Sequence, residues 1–256
     1  MSESQIFPTA PQTQASATLP RMNSLTKALV SVIAIVGGYY ALGRTFSYFL
    51  GDISPGGYAI MWSTFATLTI AVGAMVWAVA TGRGLGSLGF RRPGRIWLAV
   101  LQGVLIAPVM MVIVSPIAMF LMSLGFTSEM NFNPIAGPNI HIAFAIAMVT
   151  MWVNAALGEE VIFRGLLMNN VQRALGDGWL AGIVAAFAVA APFGLLHYFG
   201  QGWYGVIITG SVGLLLGLFF LMTKRNIFPV FIAHGVFNSI SFTALYLGQL
   251  QSAGSV

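Results

Sequence analysis

The sequence predicts an all-α fold, a polytopic transmembrane helical bundle of seven to eight spans, on three observations. Of 256 residues, 57% are hydrophobic and only 7% charged, with a mean hydropathy of +0.86, which is not the composition of a soluble domain. Apolar runs of about 20 residues, the length that crosses a bilayer, recur along the chain. The cations fall in short clusters between those runs, as topology signals do.

Taken in order, residues 1–25 are rich in Ser, Thr, Pro and Gln and lack the basic start of a signal peptide, so a disordered tail is expected. Residues 26–95 carry two N-terminal spans, about 28–50 and 58–81. Residues 96–250 carry five more, about 96–124, 141–158 and beyond, 179–198, 203–223 and 227–248. The third contains Pro108 and Pro116, so a kinked or broken helix, and with it an eighth span, is the alternative. With the tail in the cytoplasm, ten of the 11 Lys and Arg residues lie on the inner side and only Arg44 outside, while Asp52 and Glu129 land outside. The net charge of +5 is therefore read as membrane orientation, and nucleic-acid binding is discounted. Trp97, Trp179 and Trp203 mark span ends as interfacial rings. The absence of cysteine excludes disulfides, thiolate metal sites and thiol nucleophiles.

Only six acidic residues exist, and two of them are adjacent in NAALGEEVIFRGLL, residues 154–167. A carboxylate at bilayer depth costs several kcal/mol unless it is paired or faces water. Glu160 and Arg164 are i, i+4 with the acid first, the favourable order for a pair on one helix face. Glu159 points about 100° around the helix and is left without an obvious counterion, which suits a general base. The alternative is that both glutamates are cytoplasmic and solvated.

Of three histidines, His141 opens the fourth span beside NPIAGPN and reads as interfacial. His197 and His234 each sit inside an apolar run, where an imidazole needs a partner. Asn238 is i+4 from His234 and Phe193 is i−4 from His197, so each pair shares a face, and Gly194 and Gly235 would let another backbone, or a substrate chain, approach closely. If residues 142–175 form one helix that turns at GDG, residues 176–178, Glu159 and His197 come level on antiparallel neighbours. His234 shares that depth only if the hairpin tip projects by about 15 Å. YFGQGW, residues 198–203, would then start within the membrane as irregular backbone. In the sixth span Gly205, Thr209, Gly213 and Gly217 recur every four residues and predict close helix packing, and Met110, Met111 and Met151 read as lipid-facing or core filler.

The set E-E-x-x-x-R (Glu159, Glu160, Arg164), F-x-x-x-H (Phe193, His197) and H-x-x-x-N (His234, Asn238), in this order within a membrane chain, resembles the CPBP intramembrane protease family. That family includes the type II CAAX prenyl endopeptidases and the bacterial Abi-type proteins. The resemblance covers about residues 95–245. It implies a helical bundle, often of eight spans, with an intramembrane cavity that opens toward the cytoplasm and holds these side chains. The expected location is a bacterial inner membrane, crossed many times, with the N-terminus cytoplasmic.

Such side chains can hydrolyse a peptide, which needs a base for water and stabilisation for an oxyanion. Glu159 and His197 are expected to activate the water, His234 and Asn238 to bind the oxyanion, and Glu160 with Arg164 to support the base. The implied partners are the lipid bilayer and a membrane-associated peptide or protein substrate. One carboxylate and two histidines also form a ligand set seen in catalytic zinc sites, so a divalent metal such as zinc stays open although H-E-x-x-H is absent. Two non-hydrolytic readings use the same cavity: a membrane-binding or immunity-type protein, and a proton-coupled transporter.

Overall fold

The computed structural model describes residues 24–50, 55–91, 94–127, 139–176 and 178–253. The N-terminal stretch 1–23, and the acidic residues Asp52, Glu129 and Asp177, lie outside the described residues.

Among these the chain forms seven helical rods and no strand: α1 (Ser24–Leu50), α2 (Pro55–Ala80), α3 (Ile96–Ser123), α4 (Ile140–Leu175), α5 (Trp179–Leu196), α6 (Tyr198–Met222) and α7 (Ile227–Ala253). A 3-10 turn, Leu85–Leu88, follows α2. Rods α3, α4, α5, α6 from Gly200 and α7 to Gln251 are long and apolar enough to cross a membrane, and α1 and α2 contribute the apolar stretches Leu29–Tyr39 and Thr64–Ala80. Apolar residues on every face are what lipid as well as neighbours requires. Ile33, Val112, Met119 and Leu180 accordingly turn outward, each about 70% exposed.

The third span is one helix. Pro108 and Pro116 both lie inside α3 without ending it, because neighbouring helices in a membrane bundle tolerate the missing donor. α4 is the long rod that the hairpin reading anticipates. Asn139 caps its start by accepting from the Ile142 amide at 3.1 Å, and Gly176, at φ 111°, ends it in the left-handed conformation. Its middle is not ordinary α-helix: Met151–Glu159 and Val161–Met168 are π-helical, joined at Glu160. Wider turns of this kind are rare and concentrate at functional sites.

α5 and α6 form the tightest antiparallel pair, and α3 packs along α7. Small residues set the first contact. A Cβ on Gly194 would stand 2.4 Å from the Val206 carbonyl, and one on Gly213 would stand 2.7 Å from the Phe193 ring. The four-residue repeat of the sixth span is thus a packing face at Gly213 and Gly217, whose added Cβ would meet Ala186. YFGQGW is more regular than expected: residues from Tyr198 onward are helical, and the irregularity is confined to a kink at Gly202, φ 60°. Met110 and Met151 are buried core filler, whereas Trp97, Trp179 and Trp203 are each more than half exposed, as belt residues are. Arg164, counted above with the inner-side cations, is instead 1% exposed and belongs to the core.

Candidate active site

α4 supplies the two glutamates and the arginine, the end of α5 supplies His197, and α7 supplies His234 and Asn238. Glu160 is fully buried and held from two sides. Arg164 Nη1 donates to its Oε1 at 2.9 Å, and the His234 Nδ1 meets the same oxygen at 2.8 Å. The second oxygen, Oε2, is buried and makes no hydrogen bond among the described residues. Arg164 in turn donates through Nη2 to the Gly213 carbonyl of α6 at 2.7 Å, and its Cζ lies 5.0 Å from the centre of the Phe193 ring. One guanidinium therefore joins α4, α5 and α6, and a charge buried this deeply is stable only with such partners.

Glu159 is placed differently. Its side chain keeps 13% of its exposure while that of Glu160 has none, and its Oε2 stands 4.0 Å from His234 Nε2. The two nitrogens of His234 thus face the two adjacent glutamates, one in direct contact and one across a gap. Because Nδ1 is engaged by a carboxylate oxygen, it carries a hydrogen, and Nε2 is the atom turned to Glu159.

His197 ends α5 at φ −86°, ψ −4°, the sparsely populated bridge region in which many active-site residues sit. Its Nδ1 donates to the Phe193 carbonyl at 2.8 Å, which again leaves Nε2 for other atoms. Phe193 is the wall between the imidazoles, 5.1 Å from His197 and 6.3 Å from His234 between ring centres, and it stands edge-on to Phe163 at 4.8 Å. With Arg164 and Phe163 beside Phe193, the middle of α4 and the last turn of α5 are level, as antiparallel neighbours of matched length require. Asn238 lies one turn beyond His234, half-buried. His141 is elsewhere, bound to the Tyr246 hydroxyl at 2.6 Å.

Gly235, expected to admit another backbone, instead receives a side chain: an added Cβ would stand 2.4 Å from the Trp152 ring, whose Nε1 donates to Ser239 at 3.1 Å. Other neighbours carry no local signal in the sequence. Gly158, just before Glu159, lies against Thr67 of α2. Thr67 is hydrogen-bonded to Tyr39 of α1. Asn154, five residues before Glu159, is 7% exposed, and its side-chain oxygen has no hydrogen-bond partner among the described residues. A metal site would need three ligands on one point. Among the described residues no group of three or more His, Asp or Glu side chains is arranged to hold one, and the chemistry below is routed through none.

No curated protein and no solved structure matches the chain. Residues 141–240, the segment that carries Glu159, Glu160, Arg164, His197, His234 and Asn238, match the family described as type II CAAX prenyl endopeptidase Rce1-like, the CAAX protease family that the sequence motifs resemble.

Proposed function

We propose that this protein is an intramembrane endopeptidase that hydrolyses a peptide bond of a membrane-associated or hydrophobic peptide, with Glu159 as proton acceptor for the attacking water. The unequal placement of the two glutamates carries this reading. Glu160 is consumed by Arg164 and His234, at 2.9 and 2.8 Å, while Glu159 retains exposure and faces His234 Nε2 at 4.0 Å. A separation of that size is too long for a direct hydrogen bond and suits a reacting oxygen placed between base and donor.

In this scheme Glu159 and His197 hold the water, and Glu159 takes its proton as the oxygen bonds to the scissile carbonyl carbon. Nε2 of His197 is available to orient the water because Nδ1 is fixed on Phe193. The oxyanion is stabilised by the Asn238 amide and by His234, whose ring is held between the two glutamates. Glu159 then returns the proton to the leaving amine as the carbon–nitrogen bond breaks. Glu160 and Arg164 do not touch the reacting atoms; they fix the His234 ring, as outer partners of catalytic histidines do. No hydroxyl or thiol nucleophile is needed.

The match to a CAAX-type endopeptidase family supports peptide hydrolysis as the reaction class. The test compares peptide termini, by mass spectrometry, in membranes that contain the wild-type protein, the Glu159→Gln variant, or neither. New termini that appear only with wild type support the assignment. Equal processing by Glu159→Gln overturns it and leaves the cavity as a binding site.

A further inference from the structure

Trp152 stands on α4 ahead of the two glutamates and meets α7 at three successive positions of one face. Its ring lies edge-on to Phe231, 5.6 Å between centres. It fills the space over Gly235, where an added Cβ would stand 2.4–2.6 Å from three ring carbons. Its Nε1 donates to the Ser239 hydroxyl at 3.1 Å. Phe231, Gly235 and Ser239 recur every four residues, so the indole lies along a single face of α7. His234 and Asn238 are the residues just before Gly235 and Ser239 and form the adjoining row.

The contact is directional as well as close. Ser239 gives its own hydroxyl hydrogen to the Gly235 carbonyl at 2.7 Å, so its oxygen receives the indole N–H as an acceptor. Indole, hydroxyl and carbonyl thus form a chain that ties α4 to the backbone beside His234. Between helices in lipid, burial against a neighbour offers little that lipid tails do not. A small residue at the crossing and a hydrogen bond across it are what fix one helix on another.

His234 depends on such a fixture. Glu160 grips its Nδ1 at 2.8 Å, but the ring hangs from α7, and the 4.0 Å gap from Nε2 to Glu159 Oε2 changes with any slip of α7 along α4. Asn238, one turn farther along, moves with the same backbone. Reacting groups must be held to about 0.5 Å, and a misplacement of about 1 Å costs up to about 10²-fold in rate.

We propose that Trp152 is a positioning residue for the hydrolysis set out above: its indole locks α7 on α4 and so sets where His234 and Asn238 stand relative to Glu159. It touches no reacting atom, and this role rests on the reading of Glu159 as base.

The test measures kcat and KM for a quenched-fluorescent apolar peptide with the full-length protein in micelles, as wild type, Trp152→Phe, Ser239→Ala and the double variant. Trp152→Phe keeps a ring over Gly235 and loses the N–H. Each single variant should lower kcat about tenfold, with KM within about twofold of wild type and the fold intact by far-UV circular dichroism. The double variant should lose no more than the larger single effect, because both substitutions break one bond. Ser239→Ala is the smaller change and reports even if Trp152→Phe fails to fold. Ser241→Ala, whose hydroxyl bonds to the Phe237 carbonyl of its own helix at 3.0 Å, should leave kcat unchanged. A raised KM at unchanged kcat would make Trp152 a substrate contact and overturn the positioning role, as would additive losses.

A second readout needs no cleavage: nitrogen-15 NMR of the histidine rings, with signals told apart by His141→Gln and His197→Gln. Trp152→Phe and Ser239→Ala should shift the His234 signals and leave those of His141 in place. Unshifted His234 signals would overturn the role even where no peptide was hydrolysed. A wild type that cleaves, a Glu159→Gln that does not, and Trp152 and Ser239 variants that match wild type would overturn the role of Trp152 alone.

Discussion

Replacing Arg164 by Met removes a cation and leaves most of the volume filled, which isolates the electrostatic part of the buried pair. At 2.9 Å, Arg164 Nη1 and Glu160 Oε1 attract by about 6 kcal/mol with an effective dielectric constant of about 20, before desolvation is counted. Both side chains are at most 2% exposed, so the variant strands Glu160 in the core with His234 as its remaining partner. Loss of one member of such a pair costs about 3–5 kcal/mol. The hydrogen bond to Gly213 and the contact with Phe193 disappear as well. A second substitution, Glu160→Gln, removes the stranded charge while its amide oxygen can still accept from His234. The double variant should therefore recover about 2–3 kcal/mol relative to Arg164→Met alone, a coupling that a double-mutant cycle reads directly. Reversible unfolding in mixed micelles, followed by far-UV circular dichroism, supplies the four free energies. Additive effects within about 0.5 kcal/mol, or an Arg164→Met variant as stable as wild type, would refute the pairing as the organiser of α4, α5 and α6.

Three further outcomes follow from the same geometry. Phe193→Ala should lose about 3–5 kcal/mol by unfolding in micelles, since the ring packs on Phe163, Arg164, His197 and His234 at once; a loss below about 1 kcal/mol would contradict the wall between the imidazoles. Gly194→Ala should cost about 1–3 kcal/mol and loosen α5 from α6, because the obstacle at 2.4 Å is a backbone carbonyl that cannot swing away. Proteolysis should persist after prolonged dialysis against a zinc chelator, and activity that falls with the chelator and returns with stoichiometric metal would overturn the metal-free scheme.

The parts of this site that a sequence can show are those within one helical turn. Glu160 and Arg164 are four residues apart, and their pair forms as the spacing requires. The contact of His197 with Phe193 is of the same kind. What lies between elements is not legible from spacing. That His234 bonds to Glu160 and stands off from Glu159 is decided by how α7 crosses α4. The Gly213 carbonyl that receives Arg164 is a backbone atom in a stripe whose glycines signal only packing. Nor does composition announce the π-helical middle of α4, where neither proline nor a glycine pair marks the change of winding. Tyr39 and Thr67 come from helices that precede the motif-bearing segment, and only folding brings Thr67 against Gly158 with Tyr39 hydrogen-bonded to it. The spans themselves were readable because each apolar run must satisfy its own backbone in lipid, which turns length and hydropathy into helices with little ambiguity.

The division of work between the two adjacent glutamates is read by purified Glu159→Gln and Glu160→Gln, each measured for cleavage of a hydrophobic peptide and for unfolding temperature. Glu159→Gln should lose about 10²- to 10⁴-fold in kcat with the unfolding temperature unchanged, while Glu160→Gln should lower both, because it loosens Arg164 and His234 together. Undiminished cleavage by Glu159→Gln would rule out Glu159 as the proton acceptor.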